Sequence, residues 1–326
     1  MGSGGIDISE EAVELGKELI KALEKTSRKS LKAHRRLDRG FTRRNHKRWQ
    51  QGFNNLYTMI SVSGELVASA VKEIIDETGD DQNPKLFALQ CLNARGIRIS
   101  RECLCLMESG FADGALARWR TLFELTVISN VIAQSEEQIA VRFLESRAVK
   151  SSKEISKYVS FQKQANLVPI SPEEVKRHQK IAEDVMKNHG SELKQDHGWA
   201  SPLVLNKDGT KNQRPNLSHL MEIAGFQSWA PRYSWAHQEI HGGFIPPDKG
   251  LGMSEAHDSM LLVGPSNSGM VDPAQHVAYH LYAISLPILN YRPAISRQTS
   301  IYVLDYYKSK TEKAFLSVQH ETSPSA

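Results

Sequence analysis

The spacing of apolar residues along the chain is helical almost throughout. No segment alternates apolar and polar residues over the length of a strand, and no repeat of about 20–50 residues is found. We therefore predict an all-α multi-helix bundle. The predicted helices cover residues 10–36, 43–77, 84–109, 115 onward, 136–164, 172–190, 216–225, 229–241 and 273–290.

The clearest unit is a helical hairpin around residues 110–114. Apolar residues line one side of 84–109, and after the turn Trp119, Phe123 and Val127 follow one another at one-turn spacing. Because the connection is short, the two helices are predicted to be antiparallel neighbours and to form the core of the bundle. Two stretches rich in Gly and Pro, 190–215 and 242–272, are predicted to be long loops.

These patterns divide the chain into four parts. Residues 1–8 are expected to be disordered or vector-derived, and 9–49 to form a basic N-terminal helical segment. Residues 50–292 are expected to form a helical core domain. Residues 293–326 are expected to be a C-terminal extension that ends in a disordered tail.

Composition narrows the class of protein. The 326 residues are 40% hydrophobic and 24% charged, with no membrane-spanning apolar run and no secretion signal, so a cytoplasmic protein without membrane partners is expected. Cys91, Cys103 and Cys105 lack metal-ligand spacing and are expected to be free, buried thiols. Phosphate-binding glycine loops, dinucleotide fingerprints and nucleophile elbows are absent from the sequence, and no cofactor is expected.

The net charge of +4 is concentrated in one block. Between Arg28 and Arg48 there are ten Lys or Arg residues and one acid, Asp38, with Phe41 and Trp49 nearby. Such a block could bind nucleic-acid phosphates while the aromatic rings stack on unpaired bases. Alternatively, it is a solvated helix junction or a docking surface for an acidic protein. The candidate nucleic-acid-binding residues are Arg35, Arg36, Arg39, Arg43, Arg44, Lys47 and Arg48.

A second candidate feature is an Arg followed by a His after four intervening residues, Arg232 and His237. This spacing resembles that of HEPN ribonucleases, helical proteins whose site forms where two copies meet. The resemblance implies a homodimer in which a His acts as general acid or base and the Arg stabilises charge on the phosphate. Tyr233 departs from that pattern, since HEPN nucleases often carry a polar residue there. The alternative is a surface Arg and a half-buried His.

Two His-x-x-x-His pairs could instead bind a metal ion. His237 and His241 form one pair, and His276 and His280 form the other. Residues four apart share a helix face, so each pair could present two imidazoles to one ion. Ordinary packed or hydrogen-bonded histidines are the competing interpretation.

A third candidate is the pair Arg120 and Glu124 on the return helix of the hairpin. Residues four apart can form an ion pair, and apolar neighbours predict that at least one of the two charges is half-buried. The pair is either structural or part of a polar pocket that His241 also reaches.

The hairpin stretch Arg101–Glu124 resembles the core of the bacterial domain of unknown function 5677, and so does the later stretch Tyr233–Gly243. The resemblance covers roughly residues 50–290. It implies a bacterial, intracellular, helical protein and supplies no activity. Carried over position by position, it points to Arg120, Glu124, Ser234 and His241 as a polar cluster.

Together these features favour a HEPN-like, metal-independent ribonuclease, and the expected biological role is that of a toxin or phage-defence effector. Its expected catalytic cluster comprises Arg120, Glu124, Arg232, Ser234, His237 and His241. The first alternative is a non-catalytic scaffold that binds nucleic acid or an acidic protein. The second is a metal-dependent hydrolase that uses the paired histidines.

Overall fold

The computed structural model describes residues 9–205, 214–238, 246, 250–255 and 261–322, except for the side chains of 238 and 320–322. This part of the chain contains nine α-helices and no strand, so the all-α prediction is confirmed. The α-helices are α1 Glu10–Thr78, α2 Pro84–Glu108, α3 Ala112–Gln134, α4 Glu137–Phe161, α5 Pro172–His189, α6 Leu217–Ala224, α7 Ala230–Gln238, α8 Val271–Leu289 and α9 Ile295–Thr322. Short 3-10 turns cover Ser191–Lys194, Gly198–Leu203, Gln227–Trp229 and Leu251–Met253.

The chain divides into two compact units, Met1–Arg48 and Trp49–Ala326. In its described part, the first unit consists of the N-terminal portion of α1. The second unit contains the remainder of α1 and all the other helices. The domain limits drawn from the sequence stay predictions.

Helix α1 is continuous where the sequence suggested two helices separated near residues 36–43. No proline occurs in that stretch, and a single residue, Gly40, lowers helix propensity there by only about 1 kcal/mol. A local dip in apolar periodicity is therefore not enough to end the helix.

Local caps define several of the other helix starts. The Asn83 side chain accepts a hydrogen bond from Leu86 N, and Pro84 follows at the first helical position. The same arrangement opens α5, where Ser171 accepts from the Glu174 amide. These residues satisfy amide groups that would otherwise lack an intrahelical partner.

The core of the second unit is the α2–α3 hairpin packed on α8. Gly110, with φ of 89°, forms the turn, and Gly96 permits a close approach between helices. A Cβ at Gly96 would lie 2.9 Å from Ile284 Cδ1. One polar contact crosses the same interface, since Asn93 Nδ2 donates to Ser285 Oγ at 3.1 Å.

Helix α9 occupies residues that the sequence pattern predicts to be a C-terminal extension. Arg297, only 1% exposed, pairs with Glu73 at 3.0 Å and with Glu77 at 2.9 Å on α1. Phe315 packs so close to α1 that a Cβ at Gly52 would lie 2.6 Å from its ring. Long-range contacts of this kind hold a polar helix that weak apolar periodicity did not reveal.

The two predicted loops are tied to the helices at particular points. In the first, Arg142 on α4 donates to the carbonyl oxygens of Trp199 and Gly198. In the second, Asp113 at the start of α3 accepts hydrogen bonds from the amides of Leu251 at 2.6 Å and Gly252 at 3.1 Å.

Candidate functional site

Arg120, Glu124 and Tyr233 form a polar network between α3 and α7. Arg120 Nη2 donates to the Tyr233 hydroxyl at 2.5 Å, and that hydroxyl donates to Glu124 Oε1 at 2.6 Å. The guanidinium also lies 4.2 Å from the centre of the Tyr233 ring. The two predicted residues of α3 are thus linked through a tyrosine, and their direct ion pair is longer, at 3.8 Å.

Burial sets the electrostatics of this network. Arg120 is 8% exposed, and its Nε has no hydrogen-bond partner among the described residues. Burial, followed by the hydrogen bond to Glu124, raises the pKa of Tyr233 to about 12, although Arg120 opposes this shift. Tyr233 therefore remains a neutral phenol at physiological pH and can act as a hydrogen-bond donor.

His197, which no sequence motif marks, interacts electrostatically with this network through Glu124. The imidazole is half-buried, and its Nδ1 has no partner within the described part of the chain. Burial lowers the pKa of His197 and Lys150 lowers it further, while Asp196 and Glu124 act in the opposite direction. A neutral imidazole near Glu124 could accept a proton. No motif marks His197, because it lies in the irregular stretch after α5.

Arg232 and His237 are both exposed on α7, but they do not share a face. Five residues at about 100° per residue place them about 140° apart around the helix. Arg232 lies 5.2 Å from the Trp229 ring centre and lowers the pKa of His276, after burial. His237 instead follows Tyr233 by four residues, so these two side chains are on the same face.

Ser234 and His241 are the other two residues of the predicted cluster. Ser234 is exposed on α7. His241 lies outside the described residues. The structure therefore describes five of the six predicted cluster residues, Arg120, Glu124, Arg232, Ser234 and His237. The structure joins Arg120 to Glu124, while Arg232 belongs to a neighbourhood with Trp229 and His276.

His276 and His280 are packed among aromatic rings on α8. His276 stacks on Trp119 with a centroid distance of 4.5 Å, and the Trp229 ring meets His280 edge-on at 4.4 Å. Burial lowers the pKa of His276 to about 4 and that of His280 to about 3. Both imidazoles are therefore neutral at physiological pH.

The buried His280 has a polar conflict. Its Nδ1 lies 3.0 Å from Trp119 Nε1 and 2.8 Å from the His276 carbonyl oxygen. An indole N–H can only donate and a carbonyl can only accept, so one ring nitrogen cannot satisfy both contacts. His280 Nε2 has no partner among the described residues.

The metal alternative receives no geometric support from the part of the chain that the structure describes. Within it, no group of three or more His, Cys, Asp or Glu side chains could hold an ion. His276 and His280 are in the aromatic core, with neighbours that are mostly rings. These two side chains fit the interpretation as packed core histidines.

The predicted basic block lies on α1, and its arginines and lysines are largely exposed. Arg35, Arg36, Arg39 and Arg43 face solvent, and they form no ion pair with any described residue. Trp49, by contrast, is 1% exposed and donates its indole N–H to the Asn267 carbonyl. The expectation that Trp49 stacks on a base is therefore wrong, since its ring is fixed in the core.

Of the three cysteines that were predicted to be buried, one is buried. Cys103 is buried, and burial raises the pKa of its thiol to about 12. Cys91 and Cys105 are exposed, which contradicts the expectation of three buried thiols. All three are free.

A cleft of the second unit is lined by other residues. It has a volume of about 670 Å³ and is lined by residues of α3, α4 and α5 and by the stretch leading to α6, including Arg142 and His189. None of the predicted site residues lines it. Arg142 is already paired with backbone oxygens and Glu192, so this cleft has no unpaired guanidinium to offer a ligand.

Comparison with known proteins identifies the family of this chain but no individual relative. No curated protein and no solved structure matches the chain. No helix of the described residues is long and apolar enough to cross a membrane. A model of the family of unknown function DUF5677 matches residues 86–257, which is more than half of the chain and includes both stretches that suggested the resemblance. The chain belongs to the DUF5677 family.

Proposed function

We propose that this protein binds nucleic acid through the phosphate backbone, using one face of α1. The observation that carries the proposal is a run of eight exposed cationic side chains, which we call the basic stripe. Within the described part of the chain, none of them forms an ion pair. The stripe consists of Arg28, Lys29, Lys32, Arg35, Arg36, Arg39, Arg43 and Lys47.

The geometry of the stripe suits a polyanion. At 3.6 residues per turn its eight residues fall within an arc of about 120°, and from Arg28 to Lys47 they extend over about 28 Å of helix. Phosphates of one nucleic-acid strand are about 3.4 Å apart along the axis, so several can contact the stripe together. Arg44 and Arg48, also predicted from the sequence, lie off this arc.

The expected recognition is of phosphate rather than of base. The block carries no base-reading motif, and Trp49 is not accessible for stacking. Affinity should therefore fall steeply with salt and depend little on sequence. For single-stranded RNA, each phosphate contact contributes about 0.7 to the slope of log affinity against log salt.

The test is fluorescence anisotropy with labelled single-stranded RNA and double-stranded DNA over a range of salt concentrations. The variant Arg35→Gln/Arg36→Gln/Arg39→Gln should weaken binding and lower the RNA salt slope by about 2, since it removes three contacts. The control Lys176→Gln/Lys180→Gln/Lys187→Gln removes equal charge from exposed positions of α5. Equal effects of the two triple variants, or no binding of wild type at low salt, would contradict the proposal.

A second candidate, metal-independent RNA cleavage, is favoured by the shared face of Tyr233 and His237. The network places the cationic Arg120 against Tyr233, one turn from His237. In this arrangement the charge-stabilising partner would be Arg120 rather than Arg232. His237 would move the proton of a ribose 2′-hydroxyl, a group that DNA lacks.

Cleavage is tested by incubating mixed RNAs and matched DNAs with protein in EDTA. Wild type should shorten RNA and leave DNA intact, whereas His237→Ala should leave both intact. His178→Ala, which alters a half-buried histidine of α5, is the matched control. RNA loss at the same rate in wild type and His237→Ala would assign the activity to a contaminant and remove the candidate.

A further inference from the structure

One face of α1 in the first unit is apolar, and no other described residue of that unit covers it. Val13, Ile20, Leu23 and Leu37 are 41%, 56%, 58% and 68% exposed, although they recur at intervals typical of a packed helix. No other element is present in the described part of this unit. A helix with a stripe of large apolar residues is stabilised by burying it against another element.

The stripe follows a heptad pattern. With Val13 at position a, the a and d positions are Val13, Gly16, Ile20, Leu23, Ser27, Ser30, His34 and Leu37. None of these eight positions carries Lys, Arg, Asp or Glu. We call this set the α1 seam. It lies opposite the basic stripe, whose first seven residues occupy the outer positions b, c and f.

Charge along the helix is strongly asymmetric. Residues 10–24 contain five Glu and two Lys, whereas residues 28–48 contain ten Lys or Arg and one Asp. A parallel pair of such helices would place the two basic segments side by side. An antiparallel pair places the acidic segment of each copy along the basic segment of the other, which is the favourable arrangement.

The seam is also self-complementary in the antiparallel direction. When residues whose numbers sum to 57 are opposed, the seam residues from Ile20 to Leu37 meet one another as a–d pairs, and Val13 and Gly16 meet Arg44 and Phe41. Ile20 then meets Leu37 of the other copy, Leu23 meets His34, and Ser27 meets Ser30. On each side of the Ser27–Ser30 centre there is thus one mixed Leu23–His34 layer and one apolar Ile20–Leu37 layer, in the arrangement that a two-fold symmetric interface requires.

We propose that the α1 seam binds a second copy of this chain as an antiparallel coiled coil. This inference does not depend on the proposed function, because the seam and the basic stripe lie on different faces. Nucleic-acid phosphates can contact the outer positions while the seam is covered. Pairing would bring two basic stripes into one particle.

The first test is the mass of the full chain by analytical ultracentrifugation. The measured mass of wild type should be twice the chain mass of 36.6 kDa. The variant Ile20→Lys/Leu23→Lys should be monomeric, with helicity checked by circular dichroism. Leu15→Lys is the matched control, since Leu15 is 70% exposed on the same helix but off the seam, and it should remain dimeric. A monomeric wild type, or a dimer that survives the double substitution, overturns the proposal.

The second test determines whether the two copies of α1 pair in the antiparallel or the parallel direction. In a Cys91→Ser/Cys105→Ser background, which removes the exposed thiols, one chain carries Ile20→Cys and another carries Leu37→Cys. Oxidation of the mixture should give a disulfide-linked pair, and each chain alone should give none. Efficient cross-linking of the Ile20→Cys chain with itself would indicate parallel pairing and overturn the antiparallel arrangement. The anisotropy assay on Ile20→Lys/Leu23→Lys reports separately whether the basic stripe still binds.

Discussion

Arg142 is predicted to be a main determinant of stability in the second unit. It is 6% exposed on α4, and its guanidinium donates to Trp199 O at 3.0 Å, to Gly198 O at 3.2 Å, to His189 O and to Glu192 at 3.0 Å. Replacement by Met keeps an apolar stem of similar length and removes every donor. Three carbonyls and one carboxylate that is 11% exposed then lose their partner.

The magnitude follows from these contacts. Breaking a buried ion pair by removing one partner costs about 3–5 kcal/mol, because the remaining charge stays desolvated. Arg142→Met should therefore lower the free energy of unfolding by about that amount. The same helix offers a control, since Arg147 pairs with Glu154 at 3.3 Å but the two side chains are 69% and 63% exposed. Arg147→Met should cost less than about 1 kcal/mol.

The assay is urea unfolding of wild type and the two variants, followed by far-UV circular dichroism. The midpoint of Arg142→Met should fall well below that of Arg147→Met. A loss in Arg142→Met smaller than about 1 kcal/mol, the range of an exposed ion pair, would contradict this prediction.

Three further predictions concern packing, protonation and the polar network. Gly52→Ala should lower the free energy of unfolding, measured by thermal denaturation, by about 1–3 kcal/mol, because its Cβ would lie 2.6 Å from a phenylalanine ring. Gly64→Ala, whose nearest atom is 3.9 Å away, should raise it by up to about 1 kcal/mol. The folded-state pKa of His276 is about 4, below its unfolded value of 6.5, so its contribution is present above pH 6.5 and is lost as pH falls toward 4. His276→Phe should therefore flatten the decline of unfolding free energy over that range in acid titrations. Tyr233→Phe should cost about 1–3 kcal/mol in urea unfolding by leaving the buried Arg120 without its hydrogen-bond acceptor, whereas Tyr302→Phe, at a position 74% exposed, should cost almost nothing.

Local patterns were sufficient for much of the fold. The hairpin of α2 and α3 was predictable because apolar periodicity and a glycine turn are both short-range signals. The continuity of α1 was not, since the sequence has only a weak dip near Gly40 and no true helix stop. Helix α9 was missed because its anchor, Arg297, pairs with acids more than 200 residues earlier.

In the candidate site too, the contacts within one helix could be predicted and the contacts between distant residues could not. Arg120 and Glu124 were predicted as a pair because residues four apart on a helix meet. Their bridge, Tyr233, comes from α7, and a contact over 109 residues has no signature in a single sequence. His197 was missed for the same reason. The sequence placed Arg232 beside His237 by spacing alone, whereas helix geometry puts His237 on the face of Tyr233.

The carboxylate of Asp113 has a consequence for folding kinetics. Its two hydrogen bonds, to Leu251 N and Gly252 N, close chain segments of 138 and 139 residues, whereas the α2–α3 hairpin closes through the neighbouring turn at Gly110. Local contacts form quickly, and contacts between distant residues form slowly because they close long loops at an entropic cost. The hairpin is thus expected to assemble early and to present Asp113 as a preformed acceptor, and the segment around Leu251 then docks in a late, slower step.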